Sequence, residues 1–324
     1  MRITLDNKIL KEMILDLQAP HICSYEDVLK HLNLTKSNDR YIMSRPVKDY
    51  NTKTVIQLQM VVYAILDVKE TDQTFISYIW IYMVWNNEYI QWNKSEFCEI
   101  PYIEVPAESL WKPDLTIEEM VENDKAPPVP YLCIYHNNEV ELRNDQVVVS
   151  TCRMHVYKFP FDIQSCNLSF KSVLYPDDEL TITVKEDSKQ LTDWSEKIMD
   201  SQYEWLFLNM SVTNDTVSYF GFNQTLIVYT VKMKRRSILY VANFLLPVLF
   251  FLFLDFASLL MSNSSGEKIG FKITVLLAVT VMQLILNDIL PASSNRIPII
   301  GQTRNCNFTS KLVHEARMLC IAHS

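Results

Sequence analysis

Period-two alternation dominates the chain from about residue 54 to 233. Ile56, Leu58 and Met60 alternate with Gln57 and Gln59, and Leu180, Ile182 and Val184 with Thr181, Thr183 and Lys185. Ile227, Tyr229, Val231 and Met233 repeat the period. Successive side chains of a strand point to opposite faces, so these segments predict half-buried antiparallel strands. Pro- and Asn-rich turns between them predict a β-sandwich. Near residue 237 the pattern changes. Ile238–Met261 is an apolar run broken mainly by Asn243, Pro247 and Asp255, long enough at 1.5 Å per residue for a hydrocarbon core of about 30 Å. A second segment, Glu267–Leu290, is bounded by charge at both ends.

The expected fold class is mainly β plus an α membrane part: an extracellular antiparallel β-sandwich followed by transmembrane helices. The expected divisions are a weakly helical segment at 1–45, the sandwich at 46–236, a transmembrane region at 237–301 (helices about 238–261 and 267–290) and an atypical tail at 302–324. Residues 1–45 lack the apolar run of a signal peptide. In the tail the longest apolar run, Met318–Ala322, is too short to span a bilayer.

Glu267, Gly270, Thr274, Leu277, Val281, Leu284 and Asp288 follow alternating spacings of three and four, which places them on one stripe of a helix. Carboxylates end the stripe and its middle is apolar. Five copies around an axis would put acid rings at the ends, attracting cations, and apolar constrictions at Leu277 and Val281. An ordinary buried membrane helix with end charges at the headgroups accounts for the same pattern.

Composition narrows the function. A net charge of −8 and a pI near 5.3 argue against a nucleic-acid partner. Glycine occurs only at 221, 266, 270 and 301, so no phosphate-cradling loop can be assembled. Gly266 and Gly270 form one GxxxG, a helix-packing motif that arises equally by chance. No CxxC or HxxxH metal pattern and no nucleophile–base constellation occurs, so no cofactor, metal or enzymatic activity is expected. Six glycosylation sequons upstream of residue 230, at Asn33, Asn93, Asn167, Asn209, Asn214 and Asn223, suit an extracellular region. Lys232, Lys234, Arg235 and Arg236 before the first apolar run would instead place the β region in the cytoplasm by the positive-inside rule. We take the extracellular reading.

Cys152 and Cys166 enclose thirteen residues, RMHVYKFPFDIQS, a loop that one disulfide can close in an oxidising compartment. Its middle, Phe159-Pro160-Phe161-Asp162, is apolar and proline-stiffened, so the tip should press against something rather than stay in water. A Cys98–Cys133 bridge would leave Cys23 over, and that pairing stays open.

The thirteen-residue ring with FPFDIQSC resembles the signature of the Cys-loop, or pentameric ligand-gated ion channel, family. RPVKDY at 45–50, VVYAILDV at 61–68, SLWKPDL at 109–115, KMKRRSILYVANFLLP at 232–247 and GEKIGFKITVLLAVTVMQLILNDILPAS extend the resemblance over about 25–301, toward type-3 serotonin receptor subunits of accessory kind. It implies that Glu267 sets cation selectivity, Leu277 gates and Asp288 forms the outer acidic ring. Phe159–Asp162 and Arg235 would meet the linker from Pro291 to Pro298 and couple ligand site to pore.

The resemblance also implies an aromatic cage for a small cationic amine neurotransmitter, serotonin among the candidates. Trp80 matches the complementary-face tryptophan, with Tyr82 two positions on. Trp111 and Glu119 lie at the principal-face loop, and Tyr219, Phe220 and Phe222 near the capping loop. Val173 stands in place of the central cage tryptophan, and Cys133 and Arg143 where tyrosines are usual. Weak or absent serotonin binding on the principal face follows. Core packing is the plainer reading of Trp111.

The expected function is a subunit of a cation-selective, ligand-gated homo- or hetero-pentamer passing Na+, K+ and perhaps Ca2+ across the lipid bilayer of the postsynaptic plasma membrane. The alternative is a non-conducting truncated subunit that modulates assembly of full-length subunits, with retention in the endoplasmic reticulum.

Overall fold

The computed structural model describes residues 24–34, 41–122, 130–199, 204–219, 221–260 and 267–289. Its strands are β1 (Thr54–Lys69), β2 (Thr74–Asn86), β3 (Tyr102–Pro106), β4 (Leu115–Ile117), β5 (Met120–Glu122), β6 (Tyr131–Tyr135), β7 (Glu139–Thr151), β8 (Ile163–Ser172), β9 (Leu180–Thr183), β10 (Trp205–Tyr219) and β11 (Phe222–Arg235). The helices are α1 (Tyr25–His31), α2 (Ser188–Ile198), α3 (Ile238–Tyr240), α4 (Leu246–Leu259) and α5 (Glu267–Ile289).

The chain divides into two compact units. One comprises Met1–Thr54, Val84–Lys112 and Val129–Leu142. Its α1 starts with a capping box: Ser24 accepts from the Glu26 amide, and Asp27 accepts from the Ser24 amide at 3.0 Å. Strand β3 pairs antiparallel with β6 (Ile103↔Ile134), and β6 with the start of β7 (Cys133↔Glu141). Ile90, Ile103, Leu132, Ile134 and Trp85 are fully or almost fully buried. Within RPVKDY, the Arg45 guanidinium donates to the Thr52 carbonyl at 2.9 Å and the Tyr50 carbonyl at 3.0 Å, folding the turn back on itself.

The other unit comprises Val55–Met83, Pro113–Pro128 and Arg143–Ser324. Here β7, β2, β1 and β9 lie side by side in that order, with β5 beside β7. A second sheet runs β10-β11-β8-β4. The alternation legible in the sequence is the burial pattern of the core: Ile56, Leu58 and Met60 are fully buried, as are Leu168, Ile227, Val231 and Met233. The buried Tyr229 hydroxyl donates to the Leu58 carbonyl at 3.2 Å, and burial pushes its pKa well above that of an ordinary phenol. Helix α2 interrupts the region expected to be all strand. Asp187 caps it, accepting from the Gln190 amide at 2.8 Å, and Leu191 buries its apolar side.

Beyond Ser237 the backbone is helical from 238 to 259, with a π-helical stretch, Val241–Leu245, between α3 and α4. Pro247 has no N–H to donate and its ring crowds the carbonyl four residues back, which accounts for the wider turn ahead of it. Helix α4 packs against α5. At 1.5 Å per residue, the 23 residues of α5 extend about 35 Å. Among the described residues, no helix is both long and apolar enough to cross a membrane.

Candidate ligand-binding and coupling sites

Cys152 and Cys166 form a disulfide with Cα atoms 5.2 Å apart. Cys98 is also disulfide-bonded, whereas Cys133 keeps a thiol, so a Cys98–Cys133 bridge is ruled out. In the strand pairing Cys133 stands opposite Glu104 and Glu141.

The enclosed loop folds onto the end of β11. Asp162 is 1% exposed and the Arg235 side chain is fully buried. Arg235 Nε donates to Asp162 Oδ1 at 2.9 Å and Nη2 to Oδ2 at 3.2 Å, a two-point carboxylate clasp. The Arg235 amide also donates to the Asp162 carbonyl at 3.2 Å. Glu70, at the β1–β2 turn, ion-pairs with the same guanidinium, and Glu204 contacts Nη1 at 3.4 Å. The guanidinium lies over Trp205 at 4.2 Å, Phe159 at 4.9 Å and Tyr240 at 5.4 Å. Burial lowers its pKa, but the bonds to Asp162 and Glu70 outweigh that, and it stays protonated beyond the ordinary arginine value. Glu70 behaves oppositely: burial, only partly offset by Arg235, holds its carboxyl above the usual range.

Gln164 fixes the loop from within, exchanging hydrogen bonds with the His155 backbone at 2.9 and 3.1 Å. The Phe159–Pro160 peptide is cis. Phe159 is buried and stacks edge-on against Tyr240 at 5.1 Å, while Phe161 is 56% exposed. The two phenylalanines therefore part company. The linker residues through Pro298 lie outside the described residues. Glu70, Glu204, Trp205 and Tyr240 were not anticipated: they come from the β1–β2 turn, the start of β10 and α3, and no local motif marks them.

On the principal-face loops, Trp111 is buried and meets Trp85 edge-on at 6.3 Å, a core role. Glu119 is occupied: one oxygen accepts from the Ser169 amide at 2.7 Å and the other from the Ser169 hydroxyl at 2.6 Å. Asp114 organises the next turn, accepting from the Ser172 hydroxyl at 2.8 Å and the Val173 and Leu174 amides at 2.9 and 2.6 Å. That clasp turns Val173 outward, 58% exposed. Phe222 is also exposed. Of Tyr219 only the backbone is described, paired with Phe222 across the hairpin, and Phe220 lies outside the described residues.

On β2, Trp80 and Tyr82 are half-buried, on the face opposite the buried Ile79 and Ile81. Tyr63 links Trp80, at 6.2 Å, to Tyr78, at 5.3 Å, and the Tyr78 hydroxyl donates to Asp145. Arg143 is exposed.

Gly270, Thr274, Leu277, Val281 and Leu284 form an exposed stripe on α5, while Val275 on the opposite face is buried. Glu267 and Asp288 fall within the helix, and their side chains lie outside what is described. All six sequon asparagines are exposed.

Residues 31–237 match the family model of the neurotransmitter-gated ion-channel ligand binding domain, nearly two thirds of the chain. The chain belongs to the neurotransmitter-gated ion-channel family. Residues 244–302 match that family's transmembrane region, which identifies the segment holding α4 and α5 as membrane-embedded and the β region as extracellular. The chain is 32% identical over 258 residues to 5-hydroxytryptamine receptor 3A of Rattus norvegicus, covering 79% of this chain and 53% of the relative. It is 31% identical over 278 residues to 5-hydroxytryptamine receptor 3B of Homo sapiens (85% and 62%). It is 32% identical over 268 residues to neuronal acetylcholine receptor subunit alpha-9 of Rattus norvegicus (80% and 53%). These relatives are receptors of a ligand-gated channel family and not enzymes. The chain spans little more than half the length of the relatives it matches.

Proposed function

We propose that this chain acts as a subunit of a pentameric, cation-selective channel of the type-3 serotonin receptor kind, at the postsynaptic plasma membrane, in homo- or hetero-pentamers. The observation that carries the reading is the buried Arg235 clasp. It ties the Cys152–Cys166 loop and the β1–β2 turn to the residue that precedes the first membrane helix. A displacement of the β-sandwich is thereby delivered to that helix through fixed charge contacts, which is what coupling a ligand to a pore requires.

The α5 stripe supports the conducting role: it is exposed, apolar at Leu277 and Val281, and begins and ends in carboxylates that favour Na+, K+ and Ca2+. The ligand is a small cationic amine. This subunit contributes little through its principal face, because Val173 offers no aromatic face and Glu119 is bonded within the protein. The Trp80 side remains chemically suited to a cation, and serotonin is the agonist to try first.

Whole-cell recording tests this. The chain, co-expressed with a type-3A serotonin receptor subunit, should enter surface pentamers and give agonist-evoked current. Glu267→Lys should then shift the reversal potential toward that of anions. Surface incorporation without any effect of Glu267→Lys would overturn the pore assignment.

A further inference from the structure

Strand β10 is an edge strand of the β10-β11-β8-β4 sheet, and its fifteen residues would leave a long row of unpaired backbone groups. Such an edge is a template for pairing with another chain. Part of it is covered by α2. The Thr192 hydroxyl accepts from the Met210 amide at 3.0 Å and donates to the Met210 carbonyl at 2.9 Å, and the Ser188 hydroxyl accepts from the Val212 amide at 3.0 Å. Alternate residues of an antiparallel strand direct their backbone groups the same way, so Asn214 and Thr216 continue the row that Met210 and Val212 begin. Among the described residues, no hydrogen bond is formed to that edge at Asn214 or Thr216.

Asn214-Asp215-Thr216 is a sequon, and all three residues are exposed. The protection by α2 stops at Val212, and the sequon starts two residues later, at the next edge-facing position. A second sequon on the same strand, Asn209, stands opposite the exposed Lys232, whereas Asn214 stands opposite the buried Ile227. The two asparagines therefore project from opposite faces of β10 and flank its edge from both sides.

We infer that Asn214 carries an N-linked oligosaccharide that completes the edge protection begun by α2, with Asn209 bearing its counterpart on the other face. The co-reactant is an oligosaccharide joined to a lipid diphosphate. The Asn214 side-chain nitrogen forms a bond to the anomeric carbon, the bond from that carbon to the diphosphate oxygen breaks, and the lipid diphosphate leaves with the electron pair. The nitrogen gives up one proton. The inference rests on the extracellular placement of the β region.

The test is expression of the full chain in cells with a secretory pathway, followed by glycosidase digestion and peptide mass spectrometry. The peptide holding Asn214 should be modified, and Asn214→Gln and Thr216→Ala should each remove one glycan while Thr216→Ser keeps it. Both glycan-free variants should show a several-fold rise in high-mass species on size-exclusion chromatography, and Thr216→Ser should not. An unmodified Asn214 beside modified sequons elsewhere overturns this inference alone. Absence of glycan at every sequon overturns it together with the extracellular placement. An unchanged size distribution on loss of the glycan overturns the protective role.

Discussion

Replacing Asp162 by Asn keeps the size of the side chain and removes its charge, so it isolates the clasp on Arg235. Two charge-assisted bonds, at 2.9 and 3.2 Å, lose their anionic partner, and the guanidinium stays fully buried. Breaking a buried ion pair from one side costs about 3–5 kcal/mol, because the remaining charge is left undercompensated. Glu70 and Glu204 still face Arg235, and Trp205 still covers its plane, so the lower end of that range applies. For a protein of this size, about 2–4 °C per kcal/mol gives a melting-temperature drop of roughly 6–12 °C. Thermal melting of the detergent-solubilised full chain, followed by tryptophan fluorescence, measures it. A companion double variant, Asp162→Leu with Arg235→Met, removes both charges and should recover most of the stability while coupling is lost, since apolar replacement of a whole buried pair is close to neutral. If Asp162→Asn melts within a degree of the parent, the clasp contributes nothing to the fold and the reasoning fails.

Glu70 predicts a pH slope. Its carboxyl sits above the ordinary value in the folded chain, so the fold binds its proton more tightly than the unfolded chain does. Stability should therefore fall as pH rises from the unfolded carboxylate value through the raised folded one, and Glu70→Gln should flatten that slope in melts at stepped pH; a slope that survives the substitution assigns it elsewhere. Removing the disulfide with paired Cys152→Ala and Cys166→Ala should cost about 3 kcal/mol, the chain-entropy value for a loop of this size, read by denaturant melts of the full chain. Val173→Trp returns an aromatic face to an exposed position and should strengthen binding of a cationic amine by about 0.5–2 kcal/mol in a radioligand assay; unchanged affinity would place Val173 outside the ligand's reach.

The start of β1 was legible: Ile56, Leu58 and Met60 are buried and Gln57 and Gln59 are not, whereas on β2 the buried face carries Ser77 and the other face Ile76, Trp80 and Val84, so its sequence does not mark its pattern. Where the sequence runs apolar, the backbone is helical from 238 to 259 and over Glu267–Ile289. Helix α2 was not foreseen, because Leu191 and Trp194 sit in a short polar stretch whose stability comes from Thr192 and Ser188 meeting β10. Glu119 looked like a ligand-orienting acid, yet both its oxygens serve Ser169, a partner fifty residues away that periodicity cannot reveal. Asp162 and Arg235 were read as one coupling unit, but the other carboxylates were not. Glu204 reaches the guanidinium through the register of β10 with β11, which places Trp205 opposite Arg235, and Glu70 reaches it from the β1–β2 turn.

That register has a mechanical consequence. From Phe222 to Arg235, β11 is paired with β10 without a break, and at about 3.3 Å per residue the ribbon is some 45 Å long. Gly221, at φ +91°, closes its far end in a conformation other residues resist. The single irregularity lies between Phe207 and Asn209, opposite Lys232 and Met233 and so beside the clasp. A bulge bends and increases local twist. The ribbon is thus a stiff beam with one compliant point, set a few residues from its anchored end, where a small tilt of the whole length becomes a rotation applied to the start of the membrane helix.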